Sequence, residues 1–70
     1  MFFVYRDHKT MKIAQGDQQI GEELDRKFGA FNMGTAPYDN EEQAEQYRQK
    51  CQAKVDLDPT CKLPYSIDKD

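Results

Sequence analysis

The chain has 70 residues, with 13 acidic and 10 basic side chains and a formal net charge of −3. A chain of this length has apolar material for one hydrophobic core, so residues 1–70 are expected to form a single domain. The mildly acidic balance disfavours strong phosphate binding, which makes nucleic acid a disfavoured partner.

The sequence contains no candidate membrane segment. No apolar run approaches the ~18 residues needed to span a bilayer, and the N-terminal sequence lacks the basic and apolar regions of a signal peptide. We therefore expect a cytoplasmic protein that has no membrane partner.

A β-hairpin is predicted at the start of the chain. Residues 2–6 are aromatic or β-branched at most positions, as is typical of a strand, and residues 7–10 form a polar connection of hairpin length. Residues 11–14 can then return antiparallel to the first strand. Phe3 and Tyr5 share one face of that strand, so both faces carry aromatic or apolar groups.

Two helices are predicted from capping residues and apolar spacing. Asp17 is a good N-cap for a helix that runs to about Phe28, with Gly29 just beyond its end. A second helix begins near residues 39–43, where either Asp39 with Glu42 or Asn40 with Gln43 can form a capping box, and it continues to about residue 54. Its apolar stripe comprises Ala44, Tyr47, Cys51 and Val55.

Two further segments are interpreted as extended. Residues 30–38 indicate a short third strand or an extended loop, and residues 61–67 alternate between apolar and polar side chains, which predicts a last strand. Pro64 favours a position at the sheet edge because proline cannot donate to a ladder. The order β-β-α-(β)-α-β predicts an α+β fold, a small antiparallel sheet of three or four strands with two helices on one face.

No catalytic or metal-binding motif is found. His8 is the single histidine and Ser66 the single serine, and they fall at unrelated places, which disfavours a Ser-His-acid triad. Two cysteines and one histidine are fewer than the four ligands of a structural zinc site. We therefore expect a non-enzymatic protein without a metal or cofactor.

The two cysteines flank the predicted turn between the second helix and the last strand. Cys51 and Cys61 both fall on apolar positions, which suits buried core thiols as well as a disulfide or redox switch. A disulfide here would contribute roughly 2.5–3 kcal/mol in the loop-entropy model. The segment is faintly similar to the cysteine-flanked C-terminal turn of the Calvin-cycle redox linker family, with a spacing that differs by a residue. A thiol-redox switch is thus one alternative function.

The stretch from Met33-Gly34-Thr35 to Asp39-Asn40-Glu41-Glu42-Gln43-Ala44 resembles a step in small three-strand-plus-helix modules. These include the plant AP2 DNA-binding domain and the arm-binding domains of phage integrases. The resemblance implies a nucleic-acid-binding module that uses the N-terminal hairpin, with groove contacts from Tyr5, Arg6, Lys9 and Lys12. It covers residues 33–44, and the chain departs from the family in its net acidity and in a longer connection before the third strand.

The leading hypothesis is a small protein-binding regulator or inhibitor. Phages and mobile elements encode such proteins to act on a larger host protein or nucleoprotein complex, and a phage-encoded protein would act in the host cytoplasm. Aromatic residues and arginine dominate protein-binding hot spots. The candidate partner-binding residues are Phe3, Tyr5, Arg6, Lys9, Lys12, Tyr38 and Tyr65. Homodimerisation through a strand edge is compatible with each hypothesis.

Overall fold

The computed structural model describes residues 1–34, 37–63 and 67. It contains strands β1 (Phe2–Asp7) and β2 (Thr10–Gln15) and helices α1 (Gln18–Phe28) and α2 (Glu41–Leu57), with a 3₁₀ turn at Ala30–Asn32 between the helices. The two strands form an antiparallel sheet. The predicted α+β class is therefore confirmed.

β1 and β2 form the predicted N-terminal hairpin. Their register pairs Phe2 with Gln15 at one end and Asp7 with Thr10 at the other. The two-residue loop has a φ of 59° at His8. Positive φ values are usual in such loops because they match the twist of the flanking strands.

α1 begins and ends at the residues expected from the sequence. The side chain of Asp17 accepts a hydrogen bond from the backbone N–H of Ile20 at 3.2 Å. Gly29 follows the last helical residue with a φ of 92°, which is a conformation that side chains other than glycine rarely adopt.

α2 begins after Asn40, whose Oδ1 accepts hydrogen bonds from the backbone N–H groups of Glu42 and Gln43. Asn40 is therefore the N-cap, and the alternative cap at Asp39 is not used. The helix extends to Leu57, past its predicted end. The predicted apolar stripe faces the core, since Ala44, Cys51 and Val55 are buried and Tyr47 packs against them.

The two helices cover opposite faces of the hairpin. Phe3 lies against Gly21 of α1, and the ring centroid of Tyr5 lies 4.9 Å from that of Phe28 at the end of α1. The other face packs against α2 in a shared core of Val4, Met11, Ala44, Cys51, Val55, Cys61, Leu63 and Ile67. The prediction that both helices lie on one face is therefore wrong, because apolar groups on both faces of β1 need cover on both sides.

The predicted third strand lies beside β1 but pairs with it only at isolated points among the described residues. Met33 bridges to Tyr5 and Tyr38 bridges to Phe2. Residues 35 and 36 of the predicted strand, between these two bridges, lie outside the described residues. The start of the predicted strand, Ala30–Asn32, is a 3₁₀ turn.

The predicted last strand is not confirmed. Cys61, Lys62 and Leu63 are not part of the sheet, and residues 64–66 lie outside the described residues. The expected alternation of burial holds at the described positions, where Cys61, Leu63 and Ile67 are buried and Lys62 is exposed. The backbone N–H of Leu63 donates to the carbonyl of Phe31 at 2.9 Å, so this segment packs beside the 3₁₀ turn.

α1 approaches β1 closely at Gly21. A Cβ at this position would lie 2.5 Å from Cε1 of Phe3, well inside van der Waals contact. Glycine in a helix interior is less favourable than alanine by about 1 kcal/mol, so local propensity opposes this residue. The close packing against Phe3 explains its presence.

We predict that Gly21→Ala lowers the free energy of unfolding by about 1 kcal/mol, because overpacking outweighs the gain in helix propensity. Chemical denaturation measures the change. In a Phe3→Leu background, which removes the ring, the same substitution should stabilise the protein. Stabilisation by Gly21→Ala in the wild-type background would contradict the prediction.

Candidate functional site

Arg6, a predicted partner-binding residue, lies inside the fold with 7% of its surface exposed. Its Nε and Nη2 donate to Oδ1 of Asn32 at 2.8 and 2.6 Å. Nη1 donates to the carbonyls of Cys61 at 2.7 Å and Pro59 at 3.3 Å, and Nη2 donates to the carbonyl of Phe31 at 3.3 Å. Arg6 therefore joins β1 to the 3₁₀ turn and to the segment after α2.

Neutral oxygens surround the charge of Arg6. Among the described residues, no carboxylate forms an ion pair with it. A buried charge needs its hydrogen bonds, and the planar guanidinium supplies five donors in fixed directions. Arg6 is thus a structural residue in this fold and is not exposed to a partner.

The predicted aromatic anchors are engaged in packing. Phe3 is buried beneath α1, and Tyr5 is half-buried. Tyr38 is also half-buried, and its ring centroid lies 5.5 Å from that of Tyr47. Tyr65 lies outside the described residues. Phe3, Tyr5 and Tyr38 therefore do not form one exposed patch.

Lys9 and Lys12 are both exposed on the hairpin, but their surroundings differ. The Nζ of Lys12 lies 3.0 Å from Oδ2 of Asp7. This hydrogen bond is the largest cause that lowers the pKa of Asp7, to which the charges of Lys12, His8 and Lys27 add, and it raises the pKa of Lys12. The charge of Lys12 is therefore engaged within the hairpin, whereas Lys9 forms no ion pair among the described residues.

Cys51 and Cys61 are not joined by a disulfide in this structure, and both belong to the same apolar core. They are 0% and 4% exposed, respectively, and the Sγ of Cys61 lies 3.6 Å from Nη1 of Arg6. Such burial separates both sulfurs from solvent oxidants, so a redox switch would require the core to open. The disulfide stays a prediction.

A surface that the sequence did not predict lies at the end of α1 and along the 3₁₀ turn. The Nζ of Lys27 lies 5.3 Å from the ring centroid of Phe28, and the Nζ of Lys62 lies 5.1 Å from that of Phe31. Phe31 is 49% exposed. Both separations allow cation–π attraction. We call Lys27, Phe28, Phe31 and Lys62 the Lys-Phe surface.

An open cleft of about 430 Å³ adjoins this surface. We call it the hairpin cleft because the β1–β2 turn lies on one side of it and the end of α1 on the other. Its lining residues are Arg6, Asp7, His8, Lys27, Phe28 and Asn32. The volume falls within the range of small-ligand and side-chain pockets.

The Lys-Phe surface could not be found from sequence spacing. Lys27 and Phe28 are adjacent in the chain, which is a common arrangement and a weak signal. Lys62 lies near Phe31 because both of its chain neighbours are held there. Arg6 donates to the carbonyl of Cys61, and the backbone N–H of Leu63 donates to the carbonyl of Phe31. These are long-range contacts that no local pattern encodes.

The part of the chain that the structure describes contains neither a metal-binding cluster nor a membrane-spanning helix. No group of three or more His, Cys, Asp or Glu side chains there could hold a metal ion. None of the helices in this part has the length and apolar character needed to cross a membrane.

Comparison of the chain with protein-family models, with curated proteins and with solved structures found no match.

We predict that Arg6→Lys lowers the free energy of unfolding by about 2 kcal/mol, because the ammonium cannot reach all the oxygens that the guanidinium binds and leaves some of them unsatisfied. Urea denaturation measures the loss. Arg26→Lys, at an exposed position on α1, is the matched control and should change stability by less than about 0.5 kcal/mol. Equal stability of the two variants would rule out a structural role for Arg6.

We predict that Lys12→Met raises the pKa of Asp7 toward its ordinary value of 3.8, because the main favourable contact of the carboxylate is lost. In the wild type, the lowered pKa means that Asp7 stabilises the fold at neutral pH and that this contribution disappears as the pH falls below about 4. NMR titration of the side-chain carboxyl carbons measures the shift.

Glu45 provides an internal control for this titration. The hydrogen bond from Arg48 is the largest cause that lowers its pKa, and Lys12 has no part in it. The pKa of Glu45 should therefore stay low in Lys12→Met. An unchanged pKa of Asp7 in that variant would show that the Lys12 contact does not form.

Proposed function

We propose that this chain is a small non-enzymatic protein-binding module, a regulator or inhibitor that acts on a larger protein or complex, and that the Lys-Phe surface contacts the partner. The observation that carries the proposal is the exposure of Phe31 on a fixed backbone. Its carbonyl accepts hydrogen bonds from both Arg6 and Leu63, while nearly half of its surface remains open to solvent.

A rigid, exposed aromatic residue is well suited to protein recognition. Binding costs conformational entropy when flexible groups become ordered, and a side chain on an anchored turn loses little. Aromatic anchors flanked by polar or charged groups are typical of interface hot spots. Phe31 beside Lys62, with Phe28 and Lys27 nearby, has this composition.

The charge arrangement supports a protein partner over nucleic acid. Among the basic residues assigned to the hairpin interface, Arg6 is buried and Lys12 is bonded to Asp7. Lys9 then remains as the exposed hairpin lysine without an ion pair among the described residues. One such lysine on a chain of net charge −3 supplies little phosphate attraction.

Affinity capture with the tagged protein tests the proposal. We expect the wild type to retain a stoichiometric partner, and Phe31→Ala to lower the affinity for it by about tenfold or more, as a hot-spot truncation does. Leu57→Ala is the matched control, since Leu57 is also a large apolar residue and is 86% exposed on α2. It should bind as the wild type does.

Both variants should keep the stability of the wild type, because each changes an exposed side chain. Failure to retain any stoichiometric partner, or equal retention by Phe31→Ala, would contradict the assignment of this surface.

A further inference from the structure

The hairpin cleft offers a place for a charged group of the partner beside the Lys-Phe surface. Lys27 and Phe28 belong to both, so a ligand that contacts the surface also reaches the cleft. The cleft is open to solvent, and its lining combines cationic, amide and aromatic groups. Such a lining suits a polar or charged side chain rather than an apolar one.

The fixed charges of the cleft favour an anion. Arg6 and Lys27 each contribute a full positive charge, and Asp7 contributes the opposing negative charge. Asp7 is already bonded to the ammonium of Lys12, which offsets its repulsion of a second anion. Lys27 is exposed at the rim and forms no ion pair among the described residues, so its ammonium can contact a ligand.

The cleft is held in shape before any ligand arrives. Asn32 accepts from two nitrogens of Arg6 and donates from Nδ2 to the carbonyl of Phe28. These bonds join β1, the end of α1 and the 3₁₀ turn, which are three of the elements around the cleft. A ligand therefore meets the positive charge of Arg6 and the aromatic ring of Phe28 in fixed positions, which lowers the entropic cost of binding.

We propose that the hairpin cleft binds the carboxylate of an aspartate or glutamate from an acidic segment of the partner, while apolar residues of that segment pack on Phe28 and Phe31. This inference rests on the proposed protein-binding function. The single charge of a carboxylate matches the small positive excess of the cleft, in which Arg6 and Lys27 stand against Asp7.

The proposal is tested with two synthetic peptides. In the glutamate peptide, glutamate alternates with leucine, and in the glutamine peptide, glutamine replaces each glutamate. ¹H–¹⁵N NMR spectra of the labelled protein are recorded during titration of each peptide to millimolar concentration. We expect the glutamate peptide to shift the resonances of His8, Lys27 and Asn32 in a saturable way. The glutamine peptide should bind at least about fivefold more weakly, since it lacks the charge.

Lys27→Met and Lys50→Met form a matched pair of charge removals. Both lysines are exposed, but Lys50 lies on α2 and does not line the cleft. We expect Lys27→Met to weaken binding of the glutamate peptide about fivefold and Lys50→Met to leave it unchanged. Equal binding of the two peptides, equal effects of the two variants, or shifts confined to other residues would overturn the proposal.

Titrations with acetate and inorganic phosphate distinguish the source of the anion. Larger saturable shifts of the cleft resonances with acetate than with phosphate at equal ionic strength support carboxylate recognition, and the reverse order overturns it.

The capture experiment separates this inference from the proposed function. A captured partner that depends on Phe31 but not on Lys27 leaves the protein-binding function standing and removes the carboxylate site.

Discussion

The buried guanidinium of Arg6 is the contact on which the rest of the structure depends. It lies near the end of β1 and donates to oxygens of the 3₁₀ turn and of the segment that follows α2. Solvent cannot replace these bonds in the interior, and each oxygen left unsatisfied there would cost about 1–3 kcal/mol. That cost is large for a small domain, whose net stability is about 5–15 kcal/mol or less.

The same contact shapes the exposed surface. Because Arg6 fixes the backbone of the 3₁₀ turn, Phe31 is held outward in a defined position, and the segment that carries Lys62 is held beside it. Asn32 transfers the constraint to the end of α1. The Lys-Phe surface and the hairpin cleft thus depend on one buried interaction. Arg6, which was expected to contact a partner, instead holds the backbone of the surface that we propose as the interface.

The two faces of the hairpin are covered unequally. α2 contributes three fully buried residues to the core, whereas α1 contributes none. A two-stranded sheet is marginal without such cover, so α2 provides most of the apolar packing. α1 lies against β1 through Gly21 and Phe28 and leaves the ends of its side chains accessible. Lys27 and Phe28, which belong to the candidate binding surface, lie on α1, where side chains remain available to a ligand.

The sequence by itself determined the features that depend on neighbours a few residues apart: the hairpin, the Asp17 cap, the Gly29 terminus of α1 and the apolar stripe of α2. It also predicted that Cys61, Leu63 and Ile67 are buried and Lys62 is exposed, because periodicity records which side chains avoid water. Only the tertiary structure decided that the helices lie on opposite faces and that Arg6 is internal. The hydrogen bond from Arg6 to the carbonyl of Cys61 joins residues 55 positions apart, and such long-range hydrogen bonds produce no periodic pattern in the sequence.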